Sequence, residues 1–144
     1  METVFDPLRK KNVALTPEER VRQWFISVLA GPMRVPKTMM NSEVAFTFAG
    51  HPQRADILVF ARDLKPMLMV ECKRPDVPLT AEVATQMVRY NQVLDVPYVV
   101  ATNGQNTYIC RRNAGGFEFL ADAPDYHQML EYYERYHHGR VSGQ

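Results

Sequence analysis

The chain has 144 residues, 46% hydrophobic and 23% charged, a balance that excludes disordered and fibrous classes and fits one globular domain with a modest core. Lys and Arg number 17 against 16 Asp and Glu, a formal charge of +1, so affinity for a polyanion must come from a local patch, not from the whole molecule. No segment approaches the ~18 continuous apolar residues of a membrane helix, and Cys72 and Cys110 suit neither a disulfide framework nor a zinc site, so the expectation is a soluble, cytoplasmic protein without membrane contact and with two buried thiols.

Residues 1–15 read as an N-terminal arm, 16–136 as a single domain and 137–144 as a loose tail. In LTPEER, Thr16 caps a helix, Pro17 suits its first turn and Glu19 completes a capping box. Val21, Trp24, Phe25, Val28 and Leu29 recur at helical spacing before Gly31 and Pro32 stop the run. From Glu43 the period becomes two, with Val44, Phe46 and Phe48 alternating until Gly50, His51 and Pro52. RADILVF and PMLMVECK are two further strands. Leu79 to Leu94 is a second helix, with Thr80 as its cap and Val83, Met87, Tyr90 and Leu94 on one stripe. VPYVVAT has the unbroken apolar run of a strand covered on both faces, TYICRR and FEFLA are shorter strands, and Asp125 to Tyr136 is a terminal helix. The order α-β-β-β-α-β-β-β-α predicts an α/β fold, a mixed central sheet of five or six strands flanked by helices.

Within this order VECKRP sets Glu71 and Lys73 two positions apart on an apolar strand, and hence on one face. If RADILVF and PMLMVECK form a hairpin turning between Asp63 and Leu64, facing residues sum to 127. Asp56 then stands across from Glu71, about 5 Å away at Cβ and on its face, with Cys72 and Val70 turned the other way. A bulge in the connection would shift that pairing by one. Two carboxylates this close repel unless a proton or cation intervenes. Mg²⁺, or Mn²⁺ in its stead, takes one or two protein carboxylates together with water and a phosphate, and a lysine alongside can hold water or a developing negative charge. The plain alternative is a surface ion pair of Asp56 with Lys73 or Arg54.

Asp56, the following Glu71-x-Lys73 and the Gln86-x-x-x-Tyr90 pair in ATQMVRYN resemble the core of the PD-(D/E)xK nuclease superfamily. In particular, LTPEERVRQ, ADILVF, VECKRP and VPYVVATNG lie in the order found in the N-terminal nuclease domain of type I restriction enzyme R subunits. One departure is Ala55, where the superfamily's name has proline. The resemblance implies a restriction-endonuclease-like fold with an α-β-β-β-α-β core and Mg²⁺-dependent endonucleolytic hydrolysis of DNA. It implies that Asp56 and Glu71 hold the metal, that Lys73 positions water or stabilises charge, and that Gln86 and Tyr90 orient substrate or water. It calls for one more acid from the first helix. Glu18, on the stripe toward the sheet, is the choice, and Glu19, already used in the capping box, is the fallback. No G-x-x-x-x-G-K-[ST] loop occurs, so the reading is a stand-alone nuclease-like domain, a fragment, or a subunit working with motor or specificity subunits.

Arg54 beside the hairpin, with Arg20 and Arg22 on the first helix, forms a basic edge suited to phosphate contacts. Tyr126, Tyr132, Tyr133 and Tyr136 can stack on bases or pack on the sheet or on a partner subunit. Two rival readings follow: a non-catalytic nucleic-acid-binding module of the same fold, and an interaction protein whose tyrosine-rich terminal helix makes a homodimer.

Overall fold

The computed structural model describes residues 1–48, 50–90 and 95–142. Their backbone forms β1 (Thr3–Asp6), β2 (Lys11–Ala14), α1 (Pro17–Ala30), β3 (Met40–Phe48), β4 (His51–Phe60), β5 (Pro66–Cys72), α2 (Ala81–Tyr90), β6 (Tyr98–Thr102), β7 (Thr107–Asn113), β8 (Gly116–Phe119) and α3 (Tyr126–Ser142). The central sheet has the order β3-β4-β5-β6-β7-β8. β5 and β6 run parallel, joined by the crossover through α2, and the other neighbours are antiparallel. This is the mixed, helix-flanked α/β sheet that the element order predicts.

Side-chain alternation builds a core on each face. Val21, Phe25 and Leu29 of α1 and Met129 and Tyr133 of α3 pack with Ile57, Val59, Leu68, Val70 and Cys72 on one face. Val88 of α2 packs with Leu58, Met69, Val99 and Cys110 on the other. β6 is buried throughout, and both cysteines are buried free thiols. Among the described residues no helix is long and apolar enough to cross a membrane.

Four expectations are corrected. Residues 1–15 are not a bare arm: β1 and β2 pair from Thr3↔Ala14 to Asp6↔Lys11. The Asp6-Pro7 turn closes this hairpin, the Asp6 Oδ1 accepting from the Leu8 and Arg9 amides at 2.8 and 3.2 Å. Trp24 is 43% exposed, because the buried face of α1 passes through Arg22 and Ile26 instead. The capping box is half formed: Thr16 Oγ1 accepts from the Glu19 amide at 3.1 Å, while the Glu19 carboxylate turns to Gln23 and to the guanidiniums of Arg9 and Arg22, charged donors that bind it more strongly than a terminal amide. α3 continues to Ser142, past the expected end at Tyr136. The stretch to Leu94 expected of α2 lies in 91–94, outside the described residues.

The tyrosines of α3 serve packing. Tyr126 donates to the Phe60 carbonyl at 2.8 Å, Tyr133 to Asp63 at 2.8 Å and Tyr136 to Asp95 at 3.0 Å, and Tyr132 donates to the Arg112 carbonyl. All four acceptors lie at the end of the sheet where β5 and β6 begin.

Candidate metal and phosphate site

The other end of the sheet, where β5 and β6 finish, collects the charged side chains. The β4·β5 ladder runs Ile57↔Val70, Leu58↔Met69 and Val59↔Leu68, and then shifts between Val59 and Phe60 to give Phe60↔Pro66. The first three pairs sum to 127, as expected. The turn itself closes one position earlier, with Ala61 and Lys65 joined by a backbone bond of 2.9 Å. The bulge restores the register before it reaches the charged residues. The ladder ends at Ile57↔Val70, and the Asp56 carboxylate turns toward α1, to Arg22 and the Cys72 amide, which corrects the expectation that it shares a face with Glu71.

Leu68, Val70 and Cys72 face α1, so Glu71 alternates to the α2 side with Met69, and Lys73 follows the end of the strand at Cys72. Glu71 pairs in register with Ala101, and the Lys73 amide donates to the Thr102 carbonyl at 2.8 Å. Asp56 takes the amide of Cys72 on its Oδ2 at 2.7 Å and Arg22 Nη2 on its Oδ1 at 3.2 Å. Its partner is therefore a helix α1 cation, not Lys73 or Arg54.

The same end of the sheet holds an acid that the sequence reading passed over. The β3·β4 pairs sum to 99 on both sides of Glu43 and Asp56, with Ser42↔Ile57 and Val44↔Ala55 flanking them. Glu43 and Asp56 thus stand at facing positions of β3 and β4. Glu43 has φ +50°, rare for a residue with a side chain. Face alternation breaks here, since Ala55 and Leu58, three apart, lie in the same core cluster. The positive φ and the resulting change of face bring both the Glu43 and the Asp56 carboxylates within reach of Arg22.

Arg22 is 4% exposed, which corrects its assignment to a basic edge. Its Nη1 lies 2.8 Å from Glu19 and 3.3 Å from Glu43, and Nη2 lies 3.9 Å from Glu18. Arg9, from the N-terminal hairpin, joins Asp6, Glu19 at 2.7 Å and Glu43 at 3.0 Å. Burial pushes the Glu43 carboxyl upward, but the charges of Arg22, Arg9 and Arg54 outweigh it and hold the group below the usual range. Asp6 is likewise lowered: burial opposes ionisation, and bonds from Arg9 and the Leu8 amide prevail. Burial, reinforced by the negative charge of Asp56, pushes the Cys72 thiol well up and keeps it neutral.

The helix turn that buries Glu19, 6% exposed, leaves the Glu18 side chain 44% exposed, the reverse of the expected facing. Arg54 and Arg20 are exposed, paired with Glu43 at 3.0 Å and Glu2 at 3.2 Å. Gln86 is exposed on α2, and the Tyr90 side chain lies outside the described residues. Asn103, 3% exposed, binds the Val77 carbonyl at 2.9 Å and accepts from the Gln105 and Asn106 amides, tying together the loops that follow β5 and β6.

The available donors are carboxylate oxygens beside a neutral thiol, a set that suits a hard cation such as Mg²⁺. Among the described residues no three His, Cys, Asp or Glu side chains converge to hold an ion.

Residues 17–124 match the family model described as the N terminus of the type I restriction enzyme R protein. No curated protein matches. Among solved structures, the chain is similar to a fragment assigned as the HsdR subunit of a type I restriction enzyme from Vibrio vulnificus, with TM-score 0.61 and 20% identity over 83% of this chain and 25% of that one. It therefore spans a quarter of the length of that fragment. It is also similar to a protein assigned as a DUF820 nuclease from Anabaena variabilis, with TM-score 0.50 and 13% identity over 90% of both chains. At these identities the two structures establish the shared fold.

Proposed function

The chain belongs to the family of type I restriction enzyme R protein N termini, and from that premise we propose that it hydrolyses phosphodiester bonds of DNA in a Mg²⁺-dependent reaction, within a larger assembly that supplies any motor. The observation that carries this reading is the bond from the amide of Cys72, the residue after Glu71, to the Asp56 carboxylate at the carboxyl end of β5, the end of the parallel strands where open α/β sheets bind their ligands.

Asp56 and Glu71 would hold the cation, which when bound makes a water acidic enough to attack and balances charge on the phosphate. The Cys72 amide fixes one Asp56 oxygen, so this ligand is set before substrate arrives. Lys73, two residues after Glu71, would supply an ammonium to the negative charge that the transition state gains. The neutral Cys72 thiol adds no competing soft ligand. Exposed Arg54, and Arg20 farther along the rim, are available to DNA phosphates. Gln86, exposed on α2, would orient water or substrate.

The test is Glu71→Ala, assayed for nicking of duplex and single-stranded DNA with Mg²⁺ and Mn²⁺. Loss of cutting to background, with an unfolding midpoint near wild type, supports the assignment. Retained cutting would sink it, and DNA binding by wild type without metal-dependent cutting would favour a binding module.

A further inference from the structure

We propose that Arg22 is a positioning residue: its guanidinium, anchored on Glu19 and Glu43, fixes the Asp56 carboxylate in the orientation from which that group holds a divalent cation. This rests on the reading of Asp56 and Glu71 as the carboxylates of a metal site, and adds to it a supporting layer that the motif residues do not contain.

The geometry is that of a fork with both prongs used. Nη1 is held by Glu19 at 2.8 Å and Glu43 at 3.3 Å, and Nη2 reaches Asp56 at 3.2 Å. A lysine cannot span these positions, because an ammonium is a point charge and not a planar fork. Asp56 is thereby held at both oxygens, by Arg22 on Oδ1 and by the Cys72 amide on Oδ2. An ionised carboxylate offers about four acceptor sites, so two contacts orient it and still leave lone pairs for a cation.

The anchor is itself built at a cost. Glu43 sits at φ +50°, and such strain persists where surrounding contacts over-determine it and is concentrated at functional sites. Those contacts are present, since the Glu43 carboxylate meets Arg9, Arg22 and Arg54. Arg22 is also more than a substitute for the cation. The connected cluster carries Asp6, Glu18, Glu19, Glu43 and Asp56 against Arg9, Arg22 and Arg54. Five formal negative charges against three positive leave a surplus of two with Arg22 already counted, the charge that one divalent ion balances.

The experiment is calorimetric titration of Mn²⁺ into the wild-type protein, Arg22→Lys, Glu43→Gln and Asp56→Asn, with thermal unfolding of each. Arg22→Lys keeps the charge and removes the fork. A positioning role predicts a loss of Mn²⁺ affinity of about tenfold or more in Arg22→Lys, the range found for groups that orient metal ligands, and a smaller loss in Glu43→Gln. A purely structural role would lower the unfolding temperature and leave the affinity of the folded protein unchanged. Affinity unchanged or tighter in Arg22→Lys would overturn the proposal, the tighter case meaning that Arg22 competes with the cation. Should Arg22→Lys fail to fold, Glu43→Gln decides by the same sign. Wild type that binds no Mn²⁺ overturns the metal-site reading itself, and this inference with it, a result distinct from wild type and Arg22→Lys binding equally.

Discussion

At the end of the sheet where β5 begins, four tyrosine hydroxyls of α3 donate to two backbone carbonyls and to the carboxylates of Asp63 and Asp95. At the end where β5 finishes, three guanidiniums hold five carboxylates, two of them, Asp6 and Glu19, buried. The first arrangement secures a helix with neutral donors, each worth about 1 kcal/mol, at little desolvation cost. The second takes charges out of water, which hydrophobic replacements often outperform in stability. A chain under pressure for stability alone would build both ends in the first manner. The difference marks the charged end as the one shaped by chemistry.

The sharpest way to break that contrast is Asp6→Ala. Asp6 is 0% exposed and holds Arg9 together with two turn amides. Its removal should cost about 3–5 kcal/mol, the range for breaking a buried ion pair from one side, read from denaturant unfolding. A cost below about 1 kcal/mol would show that the hairpin is not fastened to the charged end through this residue.

Acid offers a second, graded test. Asp6 and Glu43 are held below the ordinary carboxylate range when folded, so their stabilisation is full above the unfolded value near pH ~4 and is lost as pH falls through the lower folded values. Burial raises the Tyr126 hydroxyl, and burial with the Asp63 bond raises that of Tyr133. Both stay protonated donors throughout that range. Amide hydrogen exchange on acidification should therefore release β1 and β2 before the start of α3. Simultaneous release would erase the distinction between the two ends.

The smallest effect is expected from Tyr133→Phe, which removes a donor to the exposed Asp63. A loss of about 0.5–1.5 kcal/mol in unfolding free energy, with unchanged Mn²⁺ affinity, would place this end outside the site's influence.

The elements of the sheet were legible because periods of two and of 3.6 differ plainly in runs such as ADILVF and TAEVATQMV. The register of β4 against β5 was legible because burial of Ile57 and Val70 locks it, whereas the turn of Asp56 toward α1 was not, since it follows a local break in alternation between Ala55 and Leu58. Glu43 escaped notice although the same arithmetic, applied to the turn after Phe48, sets it across from Asp56. A single acid before an alternating run carries no local signal. Glu18 was preferred to Glu19 because a capping box was expected to occupy Glu19, and two arginines distant in sequence claim that carboxylate instead. Pairings of that kind depend on which elements meet, and spacing within one helix does not encode them. The β1–β2 hairpin was missed for a related reason: its four-residue strands show too little alternation to stand out from a loop.

The shift between Val59 and Phe60 has a consequence for variation in the chain. It absorbs the one-residue discrepancy between where the turn closes and the register of the packed pairs Ile57↔Val70 to Val59↔Leu68. A one-residue change in the connection from Ala61 to Lys65 is therefore expected to be taken up at this irregularity, leaving the register of the packed pairs, and the residues that follow them toward the charged end, where they are.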